Sequence, residues 1–517
     1  MKCYLLSALL CLQSLLLPSA ASRAQETVDR ETIAKIRDEG LNRSQVVETF
    51  SYFTENIGPR LTATPAFKAA ADYAQAKLKA WGLDNPRQEA WEFGRGWTLD
   101  KFTIEMVEPR YMPLIGYPEA WSASTASELT GAPIFLGDKK QEEVEQMRGQ
   151  LKGAIVLSQP LQTSFERADR PQPTAFDQPV AIGQPRPPAA GAAGAAGAAG
   201  AAGAAGAAGA AGAAGSAPFI TPQNMARLLR ETGAGVVLRP NRGEHGTLFV
   251  LGRDNGDAAL PSVVLSAEHY NMIVRMIARG VAVKLRVNVQ TRFLTADKNG
   301  YNVLAELPGV DPALRDEVVM IGGHLDSWHS STGATDNADG AAAVLEAMRI
   351  LKAIGARPKR TIHAALWGGE EEGLLGSAKY VEKYLKGDAN KTARDKFDVY
   401  FNLDPGTGPI YGWYLENNAA VKPIFDAWLA PFRDLGARRN IAQGIGNTDH
   451  LSFTRAGMAG FNPVQDYVDY DVHTHHTNMD TFERVKADDL KQCAIVLASF
   501  AYHAAARAER LPLNSAQ

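Results

Sequence analysis

The chain has 517 residues, which at about 100–200 residues per domain predicts two or three domains. Its 54 Lys and Arg residues nearly balance its 57 Asp and Glu residues, for a formal net charge of -3. This balance, together with the lack of a long basic run, excludes the electrostatic signature of a nucleic-acid-binding protein.

The N-terminus has the pattern of a signal peptide for export. Lys2 supplies a positive charge, an apolar run extends from about Tyr4 to Leu17, and small residues lead to a cleavage position after Ala24. The run is shorter than the ~20 residues that cross a bilayer, which disfavours a membrane anchor. We therefore predict that residues 1–24 are removed, and that the mature protein is secreted or periplasmic without stable membrane insertion.

The first half of the mature chain divides into two segments of different character. Residues 25–118 begin with helical apolar spacing, over about 27–80, and continue as an aromatic-rich, strand-like stretch. In residues 119–292, short β-rich runs such as 153–157 alternate with turns and short helices. We expect these residues to form a smaller β-rich domain that is inserted into the main one.

A low-complexity tract of repeated Gly-Ala-Ala lies within this segment, at about 189–215. Glycine at every third position resembles collagen, but the repeat contains no proline. Such small side chains can bury little surface. We expect a surface insertion, flexible or weakly helical, without a functional role.

Residues 293–510 alternate between strand-like and helix-like patterns. Four apolar runs in this segment are strand candidates: 318–321, 361–367, 398–403 and 458–464. The alternation predicts an α/β fold with a mostly parallel (mixed) sheet flanked by helices on both faces. In such sheets, ligands bind beyond the carboxyl ends of the strands.

Side chains that can bind metal ions follow these strand candidates. They are His324 and Asp326 after the first, Asp336 before the next helix, Glu370 and Glu371 after the second, Asp404 after the third, and His476 beyond the fourth. Each alone carries little weight, because a lone histidine is usually structural and an Asp before a helix is usually its N-cap. Their shared position at one edge of the sheet indicates a site.

These residue types suit zinc, which accepts histidine nitrogen and carboxylate oxygen. Cys493 is the only cysteine beyond the predicted signal peptide, so a metal site here has to use His, Asp and Glu. Two zinc ions about 3.5–4 Å apart can share a bridging carboxylate, and five protein ligands then serve both ions. A carboxylate that is not a ligand can take a proton from water and pass it to a leaving amine.

The motifs around these residues resemble those of the co-catalytic zinc aminopeptidase and glutamate carboxypeptidase family. They are IGGHLDS at 321–327, GATDNADG at 333–340, EEEGLLGS at 370–377, NLD at 402–404 and HTNMDT at 476–481. Residues 57–62 and 90–96 resemble the plasma glutamate carboxypeptidase subgroup, and residues 119–292 resemble the protease-associated domain inserted in it. The resemblance covers nearly the whole mature chain apart from the Gly-Ala-Ala tract.

The resemblance implies a secreted exopeptidase that acts on dipeptides or short peptides with two zinc ions per chain. It assigns the zinc ligands as His324 and Asp404 on one ion, Glu371 and His476 on the other, and Asp336 as the bridge. Glu370 is then the general base. Glu372 is not catalytic, because the Gly-Leu-Leu-Gly-Ser that follows sets the register.

Supporting roles also follow from the resemblance. Asp326 is expected to orient His324, and Asp480 to do the same for His476. A cis peptide is expected after Asp336. Further expectations concern two groups: Asp449 or His450 in the wall of the substrate pocket, and His473 and His475 as competitors of His476 for the ligand role, with the spacing to Asp480 in favour of His476.

Two alternatives remain beside the peptidase. Glutaminyl cyclase shares this fold with a single zinc ion, and a non-catalytic binding protein can use the same scaffold. The complete set of five ligands and the retained base disfavour both. The sequence leaves open which end of a peptide is trimmed, and whether the chain forms a homodimer.

Overall fold

A computed structural model of the chain describes residues 26–170, 220–404 and 406–514. The predicted signal peptide and the Gly-Ala-Ala tract lie outside these residues. Within them, α-helices span Arg30–Asn42 (α1), Val46–Ser51 (α2), Pro65–Ala80 (α3), Gln141–Gln146 (α4), Pro222–Thr232 (α5), Ala267–Ala278 (α6), Asp339–Ala353 (α7), Leu375–Tyr384 (α8), Lys391–Asp395 (α9), Lys422–Leu429 (α10), His450–Thr454 (α11) and Ala487–Ala506 (α12).

The β-strands of the same residues are as follows. They span Asp84–Glu92 (β1), Gly96–Glu108 (β2), Met112–Pro113 (β3), Gly116–Pro118 (β4), Leu129–Gly131 (β5), Ile134–Phe135 (β6), Ile155–Leu157 (β7), Val236–Pro240 (β8), Ser262–Leu265 (β9), Lys284–Leu294 (β10), Asn299–Leu307 (β11), Val318–His324 (β12), Thr361–Trp367 (β13), Phe397–Asn402 (β14), Gly412–Trp413 (β15), Ala459–Phe461 (β16) and Pro463–Val464 (β17).

The main sheet has six strands in the order β1-β11-β13-β12-β14-β16. β12 runs parallel to both β13 and β14, and β14 runs parallel to β16. β1 and β11 pair antiparallel at one side, which makes the sheet mixed. The four strand candidates predicted in residues 293–510 are the four parallel strands, so the predicted fold class is confirmed.

Both faces of the main sheet are buried under helices. In β12, Val319 and Ile321 belong to a core shared with α7 and α12, whereas Met320 belongs to a second core shared with α8 and α11. Helices α1, α2 and α3 pack on the first of these faces, next to α7. Burial on both faces explains why these strands read as continuous apolar runs in the sequence.

Two smaller sheets lie between the N-terminal helices and the main parallel strands in the sequence. One has the order β3-β2-β10-β5 and the other the order β4-β9-β8-β7-β6. They share a core that includes Ile104, Val236 and Val287. Strands β2 to β4 precede residue 119 yet belong to these sheets, because β2 pairs with β10 along its length.

The start of α7 lies unusually close to the end of β14. A Cβ atom on Gly340 would lie 2.5 Å from the carbonyl oxygen of Leu403, so only glycine fits there. The side-chain amide of Asn337 donates to the same carbonyl oxygen at 2.8 Å. These contacts fix the turn that carries Asp336 next to Asp404.

None of the helices in the described ranges combines the length and the apolar character that a membrane span requires.

Candidate metal centre

The carboxyl ends of the parallel strands converge on one cluster of polar side chains. His324 is the last residue of β12, Glu370 and Glu371 lie in the turn after β13, and Asp404 lies just beyond β14. Asp336 lies in the turn before α7 and is followed by the cis peptide that the sequence predicts. Separate segments of the chain therefore deliver these side chains to one place.

Asp336 lies at the middle of this cluster. Its Oδ1 is 3.2 Å from Nε2 of His324, and its Oδ2 is 3.3 Å from Nε2 of His476. His324 Nε2 also lies 3.7 Å from Oδ1 of Asp404, and His476 Nε2 lies 2.9 Å from Oε2 of Glu371. The two oxygens of one carboxylate thus face two different donor pairs, which is the geometry of a bridging ligand.

The donor atoms of this cluster are suited to metal ions. Four buried atoms have no hydrogen-bond partner among the described residues: Nε2 of His324, Oδ2 of Asp336, Oε1 of Glu371 and Oδ1 of Asp404. Buried polar atoms without partners are costly, and a bound cation would satisfy them. Ligands at zinc's bond lengths of ~2.0–2.2 Å lie about 3.3–3.6 Å apart in a tetrahedron, close to most of the separations seen here.

Two overlapping sets of donors meet the distance requirement of a single ion. They are His324, Asp336 and Asp404 in one set, and Asp336, His475 and His476 in the other. Asp336 belongs to both sets. Asp336 therefore lies between two groups of donors, each of which could hold a metal ion.

Of the three neighbouring histidines, His476 lies nearest the carboxylates. Nε2 of His475 is 3.9 Å from Oδ2 of Asp336, and its ring stacks on Tyr470 at a centroid distance of 5.0 Å. His473 turns away, with its Nδ1 3.3 Å from the hydroxyl of Thr247. This geometry agrees with the preference for His476, and it places His475 beside the cluster.

The carboxylates of the cluster stabilise the protonated, charged forms of the two histidines. Burial opposes protonation of His324, but the carboxylates of Glu370 and Asp404 raise its pKa well above the ordinary value. Burial likewise acts against a charged His476, yet Glu371 and Asp336 raise its pKa to about 10. Cation binding here therefore competes with protonation of two histidines.

Glu370 lies beside these donors without joining either set. Its side chain is buried, and its carboxylate has no hydrogen-bond partner within the described part of the chain. Burial raises its pKa well above the ordinary value, and the carboxylates of Asp404, Asp449 and Glu371 add to this effect. Positive charge from a bound cation would act in the opposite direction and favour the ionised form.

Asp326 contacts both the turn after β13 and the ring of His324. Its carboxylate accepts hydrogen bonds from the backbone N–H groups of Glu370 and Glu371, at 3.2 and 3.1 Å. The backbone oxygen of Asp326 lies 3.1 Å from Nδ1 of His324, and its carboxylate Oδ1 lies 3.7 Å from the same nitrogen. Asp326 therefore holds both the turn after β13 and the His324 ring, whose Nε2 faces Asp336.

Asp480 holds the Asp336 turn, in place of the expected contact with His476. Its two carboxylate oxygens accept from the backbone N–H groups of Thr335 and Asp336, at 2.7 and 3.2 Å. No hydrogen bond between Asp480 and His476 occurs in the described ranges. The buried N–H groups of this irregular turn need acceptors, and Asp480 supplies them.

Asp449 and His450 are both fully buried at the start of α11. Neither is among the residues that line the cavity beside the cluster. Burial raises the pKa of Asp449 to about 7. Nε2 of His450 lies 3.3 Å from Oε1 of Glu416.

A small cavity opens on the Glu371 and His476 side of the cluster. It is lined by Trp328, Ser331, Gly333, Asp336, Glu371, His476, Thr477 and Asp480. The indole of Trp328 packs edge-on against the His476 ring, with the ring centroids 6.2 Å apart. The sequence analysis does not predict Trp328 as a site residue. Its position directly after the IGGHLDS motif is the feature that could have indicated it.

The smaller sheets reach the loop that carries His476. Phe249 forms a β-bridge with Thr477, and the N–H of Val250 donates to the carbonyl oxygen of His476 at 3.0 Å. The N–H of Leu248 donates to Oδ1 of Asn478 at 2.7 Å. Residues far from the zinc motifs in sequence thus hold the backbone of a donor residue.

A second contact from the same region holds the start of this loop. The carboxylate of Asp169 accepts from the backbone N–H groups of Asp469 and Val472, at 2.8 and 3.0 Å. Nε and Nη2 of Arg170 donate to the carboxylate of Asp471, at 2.9 and 2.5 Å. Nothing in the sequence pattern marks Asp169 and Arg170, because they pair with residues 300 positions away.

The sequence profile described as Peptidase family M28 matches residues 302–501. Carboxypeptidase Q of Mus musculus is 25% identical over 500 residues, covering 94% of this chain and 92% of its own length. Leupeptin-inactivating enzyme 1 of Streptomyces exfoliatus is 33% identical over 168 residues, which are 32% of this chain and 36% of that protein.

Solved structures show the same fold. A peptidase M28 precursor from Shewanella amazonensis superposes with a TM-score of 0.66 at 23% identity, covering 93% of this chain and 98% of that one. A zinc aminopeptidase from Bacillus subtilis superposes with a TM-score of 0.57 at 18% identity, covering 89% and 94% of the two chains. The match includes the smaller sheets as well as the main one, since it spans most of both chains.

Loss of the Arg170 contact should weaken metal binding. In Arg170→Met, Asp471 loses its ion pair and the loop before His476 loses an anchor. We expect zinc affinity, measured by competition with a chromogenic chelator, to fall about tenfold, the low end of the range for partners of metal ligands. Arg37→Met is the matched control, because Arg37 makes a two-point pair with Asp434, and neither residue belongs to the segments described above that contact the His476 loop. Equal affinities in both variants would contradict this role.

Proposed function

Because this chain belongs to peptidase family M28, we propose that it is a di-zinc exopeptidase that hydrolyses dipeptides or short peptides with Glu370 as general base. One observation carries the proposal. The carboxylate of Asp336 presents one oxygen to His324 and the other to His476, and the buried Glu370 lies close enough for its charge to act on His324. A site for a single ion would have no need of this second donor pair.

The proposed zinc ligands divide between the two oxygens of Asp336. His324 and Asp404 would hold one ion, and Glu371 and His476 would hold the other. Together these ligands carry three carboxylates, which balance most of the charge of two divalent cations. His475 is the nearest further donor to the second ion.

In the proposed reaction, the side chain of Glu370 carries out the proton transfers. When bound, zinc polarises a carbonyl group and makes water acidic enough to attack near neutral pH. Glu370 accepts a proton from the attacking water and delivers it to the nitrogen of the scissile amide as the C–N bond breaks. The buried surroundings of Glu370 favour its protonated form, which makes it able to return that proton.

The carboxylate of Asp326 gives Glu370 its position in this scheme. Hydrogen bonds from two successive N–H groups fix the turn after β13, so that Glu371 points toward His476 while Glu370 stays free. Glu372 is tied down elsewhere, because its Oε2 accepts from the hydroxyl of Thr62 at 2.9 Å. Three adjacent glutamates thus have three different environments.

The smaller sheets support a restriction to short substrates. We assign residues 119–292 to a protease-associated-like insert, with β2 to β4 completing its sheets. Two of its segments contact the loop that carries His476, beside the cavity at the cluster. An insert in this place would narrow access for long chains. The Gly-Ala-Ala tract at 189–215 is proposed to be a dispensable part of it.

The proposal also includes export of the protein from the cytoplasm. The signal-peptide pattern of residues 1–24 supports secretion or a periplasmic location. The order of the metal motifs and the complete ligand set disfavour glutaminyl cyclase and a non-catalytic binding protein.

Glu370→Gln should abolish most of the activity while the metal ions stay bound. The amide keeps the shape of the side chain but cannot accept a proton, so kcat on a short peptide should fall about 10²–10⁴-fold. Glu372→Gln is the matched control and should stay within about tenfold of the wild-type rate, since Glu372 does not face the donors. Full activity in Glu370→Gln, at normal zinc content, would show that another group moves the proton.

A panel of dipeptides and longer peptides, each with free or blocked termini, tests the substrate class. We expect dipeptides with free ends to be cleaved fastest, and peptides blocked at both ends to resist, because an exopeptidase recognises a charged terminus. Liquid chromatography of the products identifies the cleaved end. Cyclisation of N-terminal glutamine without peptide cleavage would point to the cyclase, and no turnover of any peptide would point to a binding protein.

A further inference from the structure

Arg60 is a buried arginine on the segment between α2 and α3. Its side chain is completely excluded from solvent. Within the described ranges its guanidinium pairs with no carboxylate and donates only to backbone carbonyl oxygens. A buried cation without an ion pair is costly, so this arrangement requires an explanation.

The loop between His324 and Asp336 receives most of these hydrogen bonds. Nε of Arg60 donates to the carbonyl oxygen of Leu325 at 2.8 Å. Nη1 donates to that of Thr332 at 2.7 Å, and Nη2 to that of Gly333 at 2.8 Å. One rigid side chain therefore joins the start of this loop to its end.

The backbone of Arg60 forms two further hydrogen bonds with the same loop. Its N–H donates to Oγ of Ser327 at 3.0 Å, and its carbonyl oxygen accepts from the N–H of Ser327 at 3.3 Å. The loop begins one residue after His324 and ends three residues before Asp336. Fixing both ends of the loop fixes the distance between these two donors, which is 3.2 Å from Nε2 to Oδ1.

The charge of Arg60 also suits its position. Burial lowers its pKa to about 10, while the nearby carboxylates of Asp480, Asp326 and Asp336 act to raise it. Arg60 therefore stays charged at neutral pH next to a group of buried acids. Lysine could not replace it, because a single ammonium group cannot reach three carbonyl oxygens in different directions.

We propose that Arg60 is a positioning residue that holds His324 and Asp336 at the separation required for a shared metal ion. This proposal rests on the proposed function, since it concerns two of the proposed zinc ligands. Arg60 touches neither the donor atoms nor the cavity, so it acts through the backbone of the loop alone.

Arg60→Lys is the direct test, and Arg360→Lys is its matched control. Arg360 is equally buried and donates to two backbone carbonyl oxygens, those of Arg507 at 2.7 Å and Ala508 at 3.1 Å. Unlike Arg60, it also pairs with the carboxylate of Glu317 at 2.7 Å. It lies just before β13, at the opposite end of the main sheet from the cluster. Both variants should lose stability, but only Arg60→Lys should disturb the metal site.

The measurements are zinc affinity by chelator competition, the urea midpoint of unfolding, and kcat and KM on a short peptide. Arg60→Lys should bind zinc at least about tenfold more weakly and lose kcat at saturating peptide, with KM changed less than about twofold. Arg360→Lys should keep wild-type zinc affinity at a lowered urea midpoint. Wild-type affinity in folded Arg60→Lys, or equal losses in both variants, would overturn the proposal.

Ser327→Ala keeps the test open if Arg60→Lys does not fold. It removes the acceptor of the Arg60 N–H and the weaker hydrogen bond from the Ser327 hydroxyl to the carbonyl oxygen of Trp328. It should weaken zinc binding in the same direction by a smaller factor of about threefold. Unchanged affinity in that variant would count against the proposal. A wild-type protein that binds no zinc would instead contradict the proposed function, which separates the two outcomes.

Discussion

The structure depends on the burial of several carboxylates at one edge of the main sheet. Asp336, Glu371 and Asp404 bring their oxygens within contact distance of two histidines, and Glu370 lies alongside. Like charges in such a place repel one another and lose their hydration. The fold keeps them there because the strand ends and turns that carry them are held independently of the carboxylates themselves.

Different side chains hold the two kinds of backbone group in these turns: carboxylates bind the N–H groups, and an arginine binds the carbonyl groups. The carboxylates of Asp326 and Asp480 accept from the N–H groups of the turns that carry Glu370, Glu371 and Asp336. The guanidinium of Arg60 donates to the carbonyl groups of the loop between them. Irregular backbone at a buried site leaves groups of both kinds unpaired, and both are satisfied by side chains of matching polarity. These contacts do not neutralise the carboxylates of the cluster, and bound metal ions would supply the missing positive charge.

The sequence predicts the parts of this arrangement that depend on local pattern. Apolar runs such as 318–321 locate the parallel strands, and the rule that ligands bind at their carboxyl ends brings His324, Glu371 and Asp404 together. The short motifs resolve the register of three adjacent glutamates. The cis peptide after Asp336 is also expected from them and is present.

The parts that escape prediction depend on distant contacts. Asp480 was expected to orient His476, but its carboxylate binds the backbone N–H groups of Thr335 and Asp336, whose positions only the folded turn defines. Arg170 pairs with Asp471, which lies 301 positions later in the chain, and no periodicity or motif links the two. Asp449 or His450 was expected in the wall of the substrate pocket, yet both are completely buried at the start of α11.

The central claim is that Asp336 bridges two zinc ions, and crystals grown with zinc test it most directly. Diffraction data on both sides of the zinc absorption edge locate the ions without reference to the protein model. The account predicts two anomalous peaks about 3.5–4 Å apart, one at each oxygen of Asp336. The first peak should also contact His324 and Asp404, and the second Glu371 and His476. A single peak, or a pair of peaks in which Asp336 contacts only one, would contradict it.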